Sequence, residues 1–112
     1  MKALINGTSA PLFLAKGSNE SVIATLFNDD GSLLNLTGGS VDLVVYDRSD
    51  RANPAIATHA GDTLTTPTAG VATVAIDDSE LTYNPGEYYM FVKHTTSTAT
   101  VFYAGPFTLV VR

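Results

Sequence analysis

Turn signals recur along this chain at intervals of roughly ten residues, and between them apolar residues alternate with a period of two; that combination leaves room for little besides short β-strands. The stretch from Asp29 to Tyr46 states it most clearly. Asp30-Gly31 opens it as a tight turn, a short apolar bridge follows, and Gly38-Gly39 makes a second turn. Val41, Leu43 and Val45 then alternate with Asp42, Val44 and Tyr46, the pattern of a half-buried strand. No segment carries a helical period of useful length.

The remainder of the chain follows the same grammar. In Glu20–Asn28, Val22, Ala24 and Leu26 share one face, and Ile23, Thr25 and Phe27 the other. Asp47 to Pro54 alternates in charge and ends on Asn-Pro, so it reads as a solvated loop. Ala55–His59 is a short, weak strand, and Gly61–Gly70 is a Thr-rich connection containing Pro67. Val71–Ile76 alternates again, and Asp77–Leu81 fits one helical turn with an Asp or Ser cap. Glu87–His94 and Ala99–Tyr103 form a hairpin about Thr95–Thr98, Gly105-Pro106 ends its second strand, and Phe107–Val111 resumes. The expected fold is all-β: an immunoglobulin-like antiparallel β-sandwich of about seven to eight strands, with the C-terminal hairpin at its heart. At 112 residues the chain is one domain. Residues 1–17 are an N-terminal arm or a first edge strand, and residues 18–112 the sandwich. Leu4, Ile5, Leu12, Phe13 and Leu14 make that first segment apolar enough to be a contact with a neighbouring molecule, and Pro11 suits a strand start or an edge.

Composition narrows function mainly by exclusion. The net charge of −5, with six scattered Lys and Arg residues, provides no basic patch for nucleic acid. Charged residues make up only 15%, so Thr, Ser, Asn and Gly dominate the surface, which suits a protein that sits against partners. The absence of cysteine fits assembly in a reducing cytosol. The segment after Met1-Lys2 is too short for a secretory signal, and no apolar run approaches a membrane span. The sequence has no Gly-x-Ser-x-Gly elbow and only two histidines, His59 and His94, both expected at the surface. Neither a catalytic constellation nor a zinc ligand set can be assembled from them. The acidic pairs Asp29-Asp30 and Asp77-Asp78 read as a turn and a cap before they read as calcium ligands. Asn84-Pro85-Gly86-Glu87-Tyr88 has the form of a tyrosine corner, with Tyr88 or Tyr83 supplying the hydroxyl; Met90 stands where a disulfide cysteine would be expected. Tyr88, Tyr89, Phe91, Phe102, Tyr103 and Phe107 gather in the last hairpin, and those that point outward are candidates for a contact surface.

Set in order, these pieces resemble the immunoglobulin-like domain at the N-terminus of phage baseplate upper proteins. The matching pieces are the strand Val22–Phe27, Asp30-Gly31 followed by Leu36-Thr37-Gly38, the strand Val41–Tyr46, Ala69-Gly70-Val71, and Pro85-Gly86-Glu87-Tyr88-Tyr89. The resemblance implies a non-enzymatic virion structural protein, with no cofactor, metal or catalytic residue to carry over. Baseplate upper proteins continue into further assembly and receptor-binding parts, whereas this sequence ends at Arg112. The expectation is therefore a capsid decoration or cement protein bound to the head by protein–protein contacts. The alternatives are a tail or baseplate component, or a carbohydrate- or cell-surface-binding sandwich module. The implied partners are phage capsid or tail proteins, with the chain a homo-oligomer or present in many copies on the particle. Neither nucleic acid nor membrane is expected as a partner. The implied location is the virion, assembled in the host cytoplasm.

Overall fold

The computed structural model describes residues 1–61 and 63–112. Among them, nine strands form two sheets packed face to face: β1 (Lys2–Ile5), β2 (Leu12–Leu14), β3 (Glu20–Phe27), β4 (Ser40–Tyr46), β5 (Ala57–Ala60), β6 (Thr63–Thr66), β7 (Val71–Ile76), β8 (Gly86–Thr95) and β9 (Val101–Val111). One sheet runs β1-β3-β7-β6 and the other β2-β9-β8-β4-β5. All pairings are antiparallel except β2 with β9, which is parallel. The fold is an immunoglobulin-like β-sandwich, as the spacing predicts.

The two-residue alternation places the core. Val22, Ala24 and Leu26 of β3 meet Val41, Leu43 and Val45 of β4, with Met90 and Val92 of β8 and Leu109 of β9 completing the layer; all are fully buried. Leu36, from the bridge before β4, is buried as well and ties its loop to the 3₁₀ turn Pro67–Ala69 through its amide, which donates to the Pro67 carbonyl at 2.8 Å. The 3₁₀ turn Asp78–Glu80 occupies the expected helical turn, but the Asp77 side chain makes no capping bond to it.

Of the two alternatives for residues 1–17, the structure has the edge strand and not the free arm; it corrects other expectations. Asn6-Gly7 makes a tight turn, closed by reciprocal bonds between Ile5 and Thr8. The chain then crosses over, so β1 becomes an edge of one sheet and β2 an edge of the other. Ile5, Leu12 and Leu14 are buried in the chain's own core and are unavailable to a neighbour. Leu4 is half-buried on the outer side of the four-stranded sheet, and only Phe13, 51% exposed, remains free to touch a partner. The reason is parity: in Leu12-Phe13-Leu14 the outer two residues share a face and the middle one takes the other.

Gly105-Pro106 does not break the last strand. β9 runs through it, and a register shift opposite Met90–Val92 absorbs the irregularity that a residue without an N–H imposes on a ladder. The Thr-rich connection is not wholly a loop, because residues 63–66 form β6 against β7; Asp62 lies outside the described residues. Both histidines are buried, His59 at 3% and His94 at 4% exposure. His59 pairs with Leu43 and His94 with Val41, so both share the inward face of the five-stranded sheet. No helix of the described residues is long and apolar enough to cross a membrane.

Candidate docking face

The residues that alternate out of the core build the most distinctive surface of the molecule. β8 turns Glu87, Tyr89, Phe91 and Lys93 outward. Its neighbours align Tyr46 with Tyr89, Val44 with Phe91 and Asp42 with Lys93 from β4, and Thr108 with Tyr89 and Tyr103 with Lys93 from β9. The aromatic rings meet edge to face: Tyr46 and Phe91 lie 5.7 Å apart at 88°, and Phe91 and Tyr103 lie 6.4 Å apart at 87°. Such pairs add about 0.5–1.5 kcal/mol beyond their burial and hold one another in fixed orientations.

The loop between β4 and β5 folds back over this cluster. Arg48 and Asp50 form a bidentate pair at 3.1 and 2.9 Å, Asp50 accepts from the Ala52 amide at 3.0 Å, and the Asn53 side chain donates to Asp47. Held so, the backbone at Arg51 takes a φ of +56° and sets its guanidinium 4.0 Å from the Tyr103 ring centre and 5.0 Å from that of Phe91. Phe91 is consequently buried even though it lies on the outside of a sheet, and Val44, its neighbour across the ladder, is buried too. Burial pushes the Tyr46 phenol above its ordinary pKa, with Tyr103 adding to the effect. Tyr89 and Val101 remain exposed beside the cluster, and Phe13 extends the face along β2, where the Arg112 guanidinium lies 4.5 Å from its ring centre. Aromatic and arginine side chains on a rigid sheet are the residue types that anchor protein interfaces.

Behind this sheet sits the predicted corner. Tyr88, not Tyr83, makes it, its hydroxyl donating to the Asn84 carbonyl at 2.5 Å, and Gly86 opens β8 with a φ of +154° that glycine tolerates best. Phenylalanine at position 88 removes that bond and is expected to lower unfolding stability by about 1 kcal/mol, readable in urea denaturation. Tyr83 packs 5.0 Å from Tyr88 and bonds instead to His59 Nε2 at 3.0 Å, while His59 Nδ1 lies 3.5 Å from a Glu80 carboxylate oxygen. Burial raises the Tyr83 hydroxyl to about 12, Tyr88 contributing, and burial lowers His59 against the opposing pull of Glu80. The neutral tautomer that fits accepts from Tyr83 at Nε2 and carries its proton on Nδ1, toward Glu80. This Tyr–His–Glu chain pins β5 to the turn before β8. Its tyrosine and histidine are enclosed, and its Glu80 end faces solvent.

Three of the four side chains of the acidic pairs accept hydrogen bonds from the chain itself. Asp29 accepts from the Met1 amino group at 2.8 Å, Asp30 from the Ser32 amide and hydroxyl, and Asp78 from the Gly17 amide. Among the described residues no three His, Cys, Asp or Glu side chains gather as metal ligands. The strand pattern exposes the outer face to sequence reasoning, but Arg51 was not among the candidate residues. Nothing in the spacing of its loop shows that it returns to the sheet.

No family model matches this chain, and no curated protein matches it. Among solved structures, it is similar to fibronectin(III)-like modules of CbhA from Clostridium thermocellum, with 14% sequence identity over 97% of this chain and 93% of that one, at a TM-score of 0.50. A second similar structure is AggA, the major subunit of aggregative adherence fimbriae type I from Escherichia coli, with 15% identity, coverage of 99% and 93%, and a TM-score of 0.40. The likeness to the fibronectin(III)-like modules establishes the sandwich fold and nothing narrower.

Proposed function

We propose that this chain is a non-enzymatic binding module that attaches to a protein surface through the outer face of its five-stranded sheet. The observation that carries the reading is the rigid cluster of Tyr46, Phe91 and Tyr103 under Arg51, with Tyr89 and Val101 exposed beside it. It gives the exposed Tyr89 and Val101 a firm, already covered base, so little ordering is left to be done on docking. The surface we assign as its target is the head shell of a phage particle, decorated by many copies of the module. That assignment rests on the sequence resemblance to phage immunoglobulin-like domains. The face is a poor platform for stacking a sugar, because the Arg51 guanidinium already occupies the Tyr103 ring.

Co-sedimentation of the purified chain with phage heads stripped of it tests the proposal. Tyr89 is 37% exposed and contributes nothing to the core, so Tyr89→Glu is expected to fold normally. A charge placed in an anchor position should weaken attachment by about 30-fold, the scale of a 2 kcal/mol interface anchor. Unchanged attachment by Tyr89→Glu, paired with Val101→Glu on the same face, would remove the face from the mechanism.

A further inference from the structure

The loop end of the sandwich holds a cleft of about 370 Å³, within the usual range of small-molecule sites and separate from the docking face. It opens between the 28–39 connection, which joins β3 to β4, and the turn joining β8 to β9. In the immunoglobulin fold these are the B–C and F–G positions, the end at which variable domains carry their binding loops. We propose that this cleft binds the ring of a neutral sugar, a function that goes beyond attachment to a particle.

The lining carries the argument. Phe102 pairs across the ladder with the buried His94, yet lies at the sheet's end and stays 46% exposed, presenting a ring beside Leu34 for the apolar face of a ligand. The polar lining is neutral: Asn28, Asn35, Thr96 and His94. Amides and hydroxyls both donate and accept, as ligand hydroxyl groups require. His94, itself buried, also lines the cleft, and its enclosed Nδ1 has no hydrogen-bond partner, whereas buried polar atoms are nearly always paired. Among the described residues of the lining, the one charged side chain, Asp29, is already matched by the Met1 amino group at 2.8 Å. Among them no further cation is left to hold a carboxylate or phosphate, which disfavours acidic sugars.

The test is an amide-resolved NMR titration of the full chain with methyl glycosides of glucose, galactose, mannose and N-acetylglucosamine, with glucuronate and sialic acid as charged comparators. At least one neutral glycoside is expected to shift the amides of Asn35, Thr96 and Phe102 with millimolar affinity, and the acidic sugars to shift them less. Phe102→Ala should weaken that binding at least tenfold, and Phe102→Tyr should retain it; both leave the core intact because the side chain is exposed. Tyr89→Glu should bind the glycoside as the parent does, which separates this site from the docking face. No shift with any neutral glycoside, shifts confined to another surface, stronger binding of the acidic sugars, or binding undiminished in Phe102→Ala would each overturn the proposal.

Discussion

Alanine at position 70 is expected to destabilise the protein by about 2–5 kcal/mol, enough to consume much of the stability of a domain this size. Two terms add. Gly70 has a φ of +70°, in the left-handed region where an L-residue costs roughly 1–2 kcal/mol. A Cβ there would also stand 2.4 Å from the Leu26 carbonyl oxygen and 3.0 and 3.1 Å from the Leu34 backbone oxygen and nitrogen. Those are backbone atoms, so the clash cannot be relieved by turning a side chain, and forced shifts of this kind cost about 1–3 kcal/mol. The Gly70 carbonyl meanwhile accepts from the Leu26 amide at 2.8 Å, so β3, the bridge and the entry to β7 must move together. Urea denaturation reads the loss; a change under about 1 kcal/mol would show that the junction is softer than its geometry implies.

Acidification is expected to cost stability in two separate windows. His59 and His94 are both held below the ordinary histidine value of 6.5, chiefly by burial. Between their folded values and 6.5, the unfolded chain takes up protons that the folded chain does not. The folded state is therefore favoured in full above about pH 6.5 and progressively less as pH falls below it. Each histidine adds up to about 1.4 kcal/mol per pH unit to the slope. A further loss belongs to lower pH: Asp29, Asp30 and Asp50 are held below their ordinary 3.8 by their hydrogen-bonded partners, and that stabilisation disappears only once they protonate. Unfolding midpoints should fall from about pH 7.5 to about pH 5, and His94→Leu should flatten the slope by about one proton's share. His94 is the variant of choice, since its Nδ1 gives up no bond, whereas replacing His59 would strand the Tyr83 hydroxyl. A pH-independent midpoint across that range would contradict both assignments.

The sandwich itself was legible because β3, β4, β7 and β8 each write their inward face in alternate residues, and Asn6-Gly7 and Asp30-Gly31 write the turns. The Tyr88 corner was legible for the same local reason: donor and acceptor lie within one turn of chain. The histidines were misjudged by weighing polarity over parity. His94 continues the inward series of Met90 and Val92, and that signal was available. His59 was harder, since its strand has little pattern of its own and only pairing with Leu43 fixes its direction. Pro106 was read as an end because a proline cannot donate to a ladder; the register shift that accommodates it depends on β8, far away in sequence. Arg51 belongs to the same class: a loop that reads as solvated is held by its own Asp50 and Asn53 bonds in a shape that delivers its cation to rings on two strands. Long-range placement, which single-sequence periodicity does not encode, supplied the candidate docking face its cover.

The central claim is that the outer face of β4, β8 and β9 seats this module on a phage head. A cryo-electron microscopy reconstruction of particles carrying the protein tests it most directly. The account predicts repeated copies on the head shell, with Tyr89 and Val101 buried against shell protein and the loop end of the sandwich directed outward. Copies confined to the tail, copies seated through the four-stranded sheet, or particles without the protein would contradict it.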